Sequence, residues 1–161
     1  MVGKIVYLDS SAILKRYLRE EGTELIDHLY REAERGNLTL CFSVWNIGEV
    51  IGVLDRYRTR NLLDDNQFEE ALKLFYGETE KQVKLGSLII EPVDHEVLSD
   101  SWSLLVKHHI YAADALQLST AKKLEANYFI SADKQLVTKA EEEAIKTISI
   151  DQKPTDLSTT L

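Results

Sequence analysis

The chain has 161 residues, of which 44% are hydrophobic and 29% are charged, and its net charge at pH 7 is −8. This length and composition are typical of one globular domain with enough chain to bury a core. The negative charge argues against non-specific attraction to nucleic acid, because that attraction needs clustered Lys and Arg. No apolar run approaches the roughly 20 residues that span a bilayer, and the N-terminus lacks the pattern of a signal peptide, so we expect a cytoplasmic protein without a membrane segment.

Apolar runs of strand length alternate along the chain with longer segments of helical period. They predict strands at 4–8, 39–43, 88–93, 127–131 and 146–150, and helices near 11–19, 22–35, 44–58, 65–84, 95–109, 111–125 and 133–143. This alternation predicts an α/β fold, a three-layer α/β/α sandwich around a central parallel sheet of about five strands. Residues 1–150 would form this domain, and 151–161, with a proline and few large apolar groups, would form a flexible tail.

Several single residues indicate where helices begin and end. Gly22 and Gly36 are expected to close helical segments, because glycine adopts the left-handed conformation that ends a helix. Asp94 and Asp133 are placed to cap the helices that follow them.

Other residues are expected to serve only the core. Cys41 lies in the apolar run "LTLCFS" and is interpreted as a small buried hydrophobe, since a single cysteine forms no internal disulfide. Trp45 and Trp102 stand at helical spacing with aliphatic residues and are expected to be buried. The adjacent histidines 108–109 point in different directions on a helix, so we do not expect them to bind zinc.

Four acidic residues stand where a solvated carboxylate is unexpected. Asp9 follows the first predicted strand, and Asp133 follows the fourth in "YFISAD". Glu49 has aliphatic neighbours in "VWNIGEVIGVL", and Asp114 is apolar on nearly every side in "YAADALQLSTA". Each has a structural alternative: a helix cap for Asp9 and Asp133, and a favourable helix dipole for Glu49. That alternative is weakest for Asp114, because a carboxylate in apolar surroundings needs a partner.

A right-handed parallel βα fold brings these acids to one side of the molecule, because each strand end leads into the start of the next helix. Carboxylates that meet there repel one another unless a cation compensates their charge. A cluster of oxygen ligands without His or Cys suits Mg²⁺ or Mn²⁺. Such an ion activates water for phosphodiester hydrolysis. Ser11 and Ser131 stand close enough in sequence to hydrogen-bond a carboxylate or a metal-bound water, although serine is also common in turns.

The ordered motifs "VYLDSSAILKRYLREEG", "SVWNIGEV", "YAADALQLSTA" and "YFISADKQL" resemble the PIN-domain family, in particular the toxin ribonucleases of VapBC-type toxin–antitoxin modules. The resemblance covers residues 4 to about 150. It implies an α/β/α sandwich, an endoribonuclease that depends on Mg²⁺ or Mn²⁺, and a cognate antitoxin that buries the site. It assigns the acidic quartet to Asp9, Glu49, Asp114 and Asp133, with Ser11 and Ser131 as supporting hydroxyls. PIN domains also serve in ribosomal RNA processing and RNA decay, so the biological role stays open.

We therefore predict a ribonuclease that acts on single-stranded or looped RNA with metal-activated water. Because the centre is acidic, nearby cations should guide the RNA backbone. The candidates are Lys15, Arg16, Arg19, Arg56, Arg58, Arg60 and Lys134. The segment 44–76 carries more apolar surface than one sheet face needs, which predicts a symmetric homodimer. The residues expected in that interface are Val44, Ile47, Ile51, Leu54, Leu72, Phe75 and Tyr76.

Two other classes of protein also place acids at strand ends. A non-catalytic receiver-like module would need a phosphorylatable aspartate after the third strand, where Asp94 is better explained as a cap. A phosphatase of the haloacid dehalogenase type would use Asp9 as nucleophile and normally has a second acid two positions later, where this chain has Ser11.

Overall fold

The structure, a computed structural model, describes residues 3–157. Five strands and seven helices alternate along this part of the chain. In order they are β1 Lys4–Leu8, α1 Ser10–Leu14, α2 Thr23–Glu34, β2 Leu38–Ser43, α3 Val44–Thr59, α4 Asp65–Lys84, β3 Leu88–Glu91, α5 His95–His108, α6 Ala112–Lys123, β4 Tyr128–Ile130, α7 Lys134–Glu142 and β5 Lys146–Thr147, followed by a 3₁₀ helix at Pro154–Leu157.

The strands form one parallel sheet in the order β3-β2-β1-β4-β5. Strand β1 is central, with Val6 opposite Leu40 of β2 on one side and opposite Tyr128 of β4 on the other. The chain therefore leaves β1 in one direction for β2 and β3, and returns past β1 to add β4 and β5. The predicted α/β fold with about five parallel strands is confirmed.

Side chains of the sheet alternate between two apolar cores, because successive residues of a strand face opposite sides. On one face Val6 and Leu8 pack with residues of α1 to α4, including Ile13 and Phe75. On the other face Tyr7, Cys41 and Phe129 pack with residues of α5 to α7. The Tyr7 and Phe129 rings stack with centroids 5.2 Å apart. These two cores produce the predicted three layers and confirm that Cys41 is buried.

The first helix is shorter than predicted. It ends at Leu14 and not at 19, because the backbone tightens into turns after this point and the hydroxyl of Thr23 donates to the carbonyl of Lys15 at 2.8 Å. Gly22 consequently does not close this helix but precedes α2, with φ of +93°. A Cβ at Gly22 would also lie 2.7 Å from Ile150 Cγ1, so glycine is needed there. Gly36 does follow the end of α2, as predicted, with φ of +80°.

Three strands are shorter than predicted, and β4 at Tyr128–Ile130 lacks one residue at each end of the predicted 127–131. β3 stops at Glu91, because Pro92 has no N–H with which to extend the ladder. β5 at the sheet edge contains two residues, and the chain bends soon after it. The caps are as predicted: Asp94 accepts from Val97 N at 3.0 Å, and Asp133 accepts from Gln135 N at 2.8 Å.

The two tryptophans are not in the core, and that prediction is wrong. Trp45 is 48% exposed and Trp102 is 61% exposed, because each lies on the outer face of its helix. The interface predicted for a dimer also contains core residues: Leu54 and Phe75 are fully buried under the sheet. In the predicted flexible tail, the 3₁₀ helix is described but 158–161 lie outside the described residues, so that prediction stays a prediction. Within 3–157, no helix is both long and apolar enough to cross a membrane.

Candidate active site

The four acids reach one cavity from four separate elements. Asp9 follows β1 and Asp133 follows the neighbouring β4, so both lie at the carboxyl edge of the sheet. Glu49 lies in the second turn of α3 and Asp114 in the first turn of α6. All four line a cavity of about 820 Å³. It lies where the chain reverses its direction across the sheet, which is the usual place for ligands in open α/β folds.

Asp9 is the most deeply placed of the four, with 4% of its surface exposed. Its Oδ1 accepts from Ser11 Oγ at 2.6 Å and from Ala12 N at 2.8 Å, and its Oδ2 accepts from Ser131 Oγ at 2.5 Å. Burial raises the pKa of Asp9 to about 6, against these hydrogen bonds that lower it, and the charge of Glu49 raises it further. Asp9 is thus a helix cap and a desolvated acid at once.

The two supporting serines both hold Asp9, and they also join two turns of the chain. Ser11 Oγ accepts from Ala132 N, and Ser131 Oγ accepts from Asp133 N, each at 2.9 Å. The turn after β1 is therefore fastened to the turn after β4, which fixes Asp9 relative to Asp133.

Glu49 is held by residues that the sequence did not single out. Its Oε2 accepts from Ser10 Oγ at 2.5 Å and from Gln117 Nε2 at 3.3 Å. Both donors are themselves bound to Asn46, one turn before Glu49 on α3. A signal did exist: Gln117 stands three residues after Asp114, and Asn46 three residues before Glu49, so helical spacing places each beside an acid.

Asp114 and Asp133 are the more open acids. Burial raises the pKa of Asp114, which is half-buried, and the charges of Asp133 and Glu49 add to this. Asp133 is exposed, and its Oδ1 caps α7 while the residue also lines the cavity. The charges of Glu49 and Asp133 therefore both act on Asp114.

Comparison with known proteins identifies the fold family of this site. Residues 6–142 match the model of the PIN domain. The chain belongs to the PIN-domain family. A search of curated protein sequences finds no significant match.

Solved structures with the same PIN fold share little sequence with this chain. The protein PAE2754 from Pyrobaculum aerophilum has a TM-score of 0.64 and 14% identity, over 94% of this chain and 86% of that one. FitAcB from Neisseria gonorrhoeae has a TM-score of 0.61 and 17% identity, over 90% and 97%. VapBC2 from Rickettsia felis, bound to a DNA fragment from its promoter, has a TM-score of 0.59 and 14% identity, over 90% and 98%.

The donor chemistry of this PIN domain fits a hard divalent cation. None of the four acids forms an ion pair with another residue of 3–157, so no direct ion pair within this range offsets their repulsion. All four supply carboxylate oxygens, the ligands that Mg²⁺ and Mn²⁺ prefer. As the side chains lie, no three His, Cys, Asp or Glu residues of the described chain are gathered closely enough to hold a metal ion. His108 contacts Glu142 and Glu143.

The cavity of this PIN domain continues along α3 as an open groove. Gly48 and Gly52 lie one turn apart on its floor, and a Cβ at Gly48 would meet nothing within 4 Å. Trp45 stands at the rim, and Val53 and Val93 line the walls. The groove is thus lined mostly by apolar residues along α3, and the four acids lie at one end of it.

The cations predicted to guide RNA separate into two groups. Arg16 is bound to Asp27 and Glu78, Lys15 pairs with Glu20, and Arg58 pairs with Asp55, so these three serve the fold. Arg56 lines the groove, and it forms no ion pair within the described residues. Lys134 is exposed directly after Asp133. Arg56 therefore lies in the groove, and Lys134 lies next to Asp133 in the chain.

Proposed function

We propose that this PIN domain is an endoribonuclease that depends on Mg²⁺ or Mn²⁺, and that it is the toxin of a toxin–antitoxin pair. The observation that carries the proposal is that four carboxylates from separate elements line one cavity, where burial and the charges of neighbouring carboxylates raise the pKa of Asp9 and Asp114. The structural similarity to VapBC2 and FitAcB supports the toxin role.

In this proposal Asp9, Glu49, Asp114 and Asp133 hold one or two divalent cations. The bound ion lowers the pKa of water and offsets charge on a phosphoryl oxygen. Within the protein, Ser11 and Ser131 keep Asp9 in one orientation by donating to both of its oxygens. No side-chain nucleophile is required.

The groove supplies the contacts that RNA would make beyond the acids. The exposed ring of Trp45 offers a stacking surface for a base, and Arg56 offers a charge for a backbone phosphate. The partners that we propose are a single-stranded or looped RNA, a cognate antitoxin protein that covers the cavity, and a second copy of this chain. A cytoplasmic location stays a prediction.

Two alternatives use the same fold: a PIN nuclease of RNA processing or decay, and a non-catalytic module that binds through the acidic site. Cleavage of RNA by the purified protein separates the non-catalytic module from the two nucleases. A neighbouring gene for a small DNA-binding protein with a basic tail would favour the toxin over a processing enzyme.

The test of the nuclease uses Asp114→Asn, which keeps the shape of the side chain and removes its charge. Cleavage of a single-stranded RNA by wild type should require Mg²⁺ or Mn²⁺ and stop in chelator, and Asp114→Asn should be inactive while folded. Asp100→Asn is the control. Asp100 is a partly exposed aspartate of α5, and it lies beside Lys122, which is at the opposite end of α6 from Asp114. Cleavage by Asp114→Asn at the rate of wild type would show that the quartet is wrongly assigned.

A further inference from the structure

A buried polar network lies under Glu49 and connects it to the sheet. It consists of Tyr7 of β1, Ser10 of α1, Asn46 of α3 and Gln117 of α6. Tyr7 and Asn46 are fully buried, and Gln117 is 3% exposed. Buried amides are costly unless their hydrogen bonds are made, so this network is a fixed part of the structure.

The direction of every hydrogen bond in the network follows from one backbone N–H. Ser43 N is an obligatory donor and lies 2.8 Å from a side-chain atom of Asn46, which must therefore be Oδ1. Tyr7 Oη donates to the same oxygen at 2.9 Å, because an amide oxygen carries no proton and can only accept. The other end of the Asn46 amide, Nδ2, is consequently a donor only. It donates at 2.7 Å to Ser10 Oγ and at 2.7 Å to Gln117 Oε1.

These hydrogen-bond directions determine which atoms of Gln117 and Ser10 donate to Glu49. Because Gln117 must accept through Oε1, its Nε2 faces Glu49 and donates to Oε2. Because Ser10 accepts from Asn46, its single hydroxyl proton is directed to the same Oε2. Oε1 of Glu49 accepts no hydrogen bond from residues 3–157. One oxygen of the carboxylate is thus saturated by the protein, and the other is left for the cavity.

We propose that Asn46, Ser10 and Gln117 are positioning residues, which direct two hydrogen bonds onto Oε2 of Glu49 and so present its Oε1 to a divalent cation. The inference rests on the proposed function, because it assumes that Glu49 is a metal ligand. None of the three residues is given a role in bond cleavage. They act by holding the glutamate side chain in one orientation, as partners of ligating carboxylates do.

The test replaces Gln117 by methionine, which has a similar length and cannot donate a hydrogen bond. A matched control exists on α4: Gln82 is also fully buried, donates through Nε2 to a glutamate, Glu34, at 2.8 Å, and accepts from Ser87. Gln82→Met makes the same chemical change without touching the cavity. Ser10→Ala and Ser10→Thr form a second pair, in which threonine restores the hydroxyl.

We expect calorimetric titration to show Mn²⁺ binding weakened roughly 10-fold or more by Gln117→Met and by Ser10→Ala, the range seen when partners of metal ligands are removed. Gln82→Met and Ser10→Thr should bind Mn²⁺ like wild type. In cleavage assays at saturating metal, kcat should fall for Gln117→Met while KM for RNA stays within about twofold, since KM follows substrate binding where the chemical step is slow. The ¹³C shift of the Glu49 carboxylate at fixed pH should move in Gln117→Met and stay in Gln82→Met.

The inference is overturned if Gln117→Met binds Mn²⁺ as wild type does, or if it loses no more affinity than Gln82→Met. It is also overturned if Ser10→Thr fails to restore what Ser10→Ala loses. Absence of Mn²⁺ binding by wild type would instead refute the proposed function. The ¹³C shift would then still decide, without metal, whether Gln117 acts on Glu49.

Discussion

Asp9 offers the sharpest link between the site and the stability of the fold. Its carboxyl group is buried, and its pKa is raised to about 6 from the ordinary value of 3.8. A pKa shift of about two units corresponds to about 3 kcal/mol, since each unit is worth about 1.4 kcal/mol. In the absence of metal, ionised Asp9 should therefore lower the free energy of unfolding by about that amount at neutral pH.

The pH at which this loss develops follows from the two pKa values. The native state holds the Asp9 proton more tightly than the unfolded chain, so stability falls as pH rises from 3.8 to about 6 and then levels off. Below 3.8 the acid is protonated in both states, and the unfavourable contribution is absent.

Asp9→Asn isolates this contribution, because the amide does not titrate and can still accept from Ala12 N. Urea unfolding of wild type and variant, both in chelator, gives the difference in their free energies of unfolding at each pH. The free energy of unfolding of wild type should fall by about 1.5 kcal/mol relative to that of the variant between pH 4.5 and 6, and the difference should stay nearly constant from pH 6.5 to 7.5. Titrating groups that do not interact with Asp9 contribute equally to the two proteins and cancel.

A difference that does not change with pH would refute the reasoning, because it would mean that native Asp9 ionises like an exposed aspartate. Saturating Mn²⁺ should remove the pH dependence, since a bound cation lowers the pKa of its carboxylate ligands. If the dependence persists in saturating Mn²⁺, Asp9 is not a ligand.

Four further outcomes can be measured with purified protein. Asp114→Asn should melt above wild type in chelator at pH 7, because the raised pKa of Asp114 means that its ionised form opposes folding; a lower melting temperature would indicate a structural acceptor. Arg16→Lys should cost about 2 kcal/mol in urea unfolding, since lysine cannot bond both oxygens of Glu78, and a loss near zero would contradict this. Gly48→Ala should stabilise by about 1 kcal/mol, because a Cβ meets nothing there, and a destabilised variant would show hidden strain. Light scattering should give a mass of twice 18.4 kDa, whereas 18.4 kDa would exclude the homodimer.

The sequence predicted the order of elements well because periodicity and capping agree along most of this chain. Asp94 and Asp133 mark helix starts by a local rule, and the structure places both as caps. The errors at Gly22 and in the first helix arose from contacts with distant parts of the chain, such as Ile150, which no local pattern contains.

Burial was harder to predict than secondary structure. These helices carry apolar residues on more than one face, and the sequence alone does not show which face packs against the sheet. The sequence therefore predicts that Trp45 is buried and that Phe75 lies in a dimer interface, whereas in the structure Trp45 is exposed and Phe75 is buried. Arg16 likewise looked available to RNA, although Asp27 and Glu78 bind it from other elements.

The acidic residues of the candidate site are predicted from the sequence, but the neutral amides that contact them are not. Charged side chains are rarely surrounded by apolar residues, so Asp9, Glu49, Asp114 and Asp133 stand out in the sequence. Asn46 and Gln117 do not stand out, since either residue is ordinary on a helix. Their importance lies in the direction of their hydrogen bonds, which depends on Ser43 N and becomes visible only in three dimensions.

The central place of β1 in the sheet has a consequence for the nascent chain. Asp9 is made early in synthesis, yet its backbone N–H donates to Ile130 and its carboxylate is held by Ser131, 122 residues later. A chain still on the ribosome that lacks β4 has an open edge on β1 and neither Ser131 nor Asp133. The site that we propose for RNA cleavage is therefore completed only after most of the message has been translated.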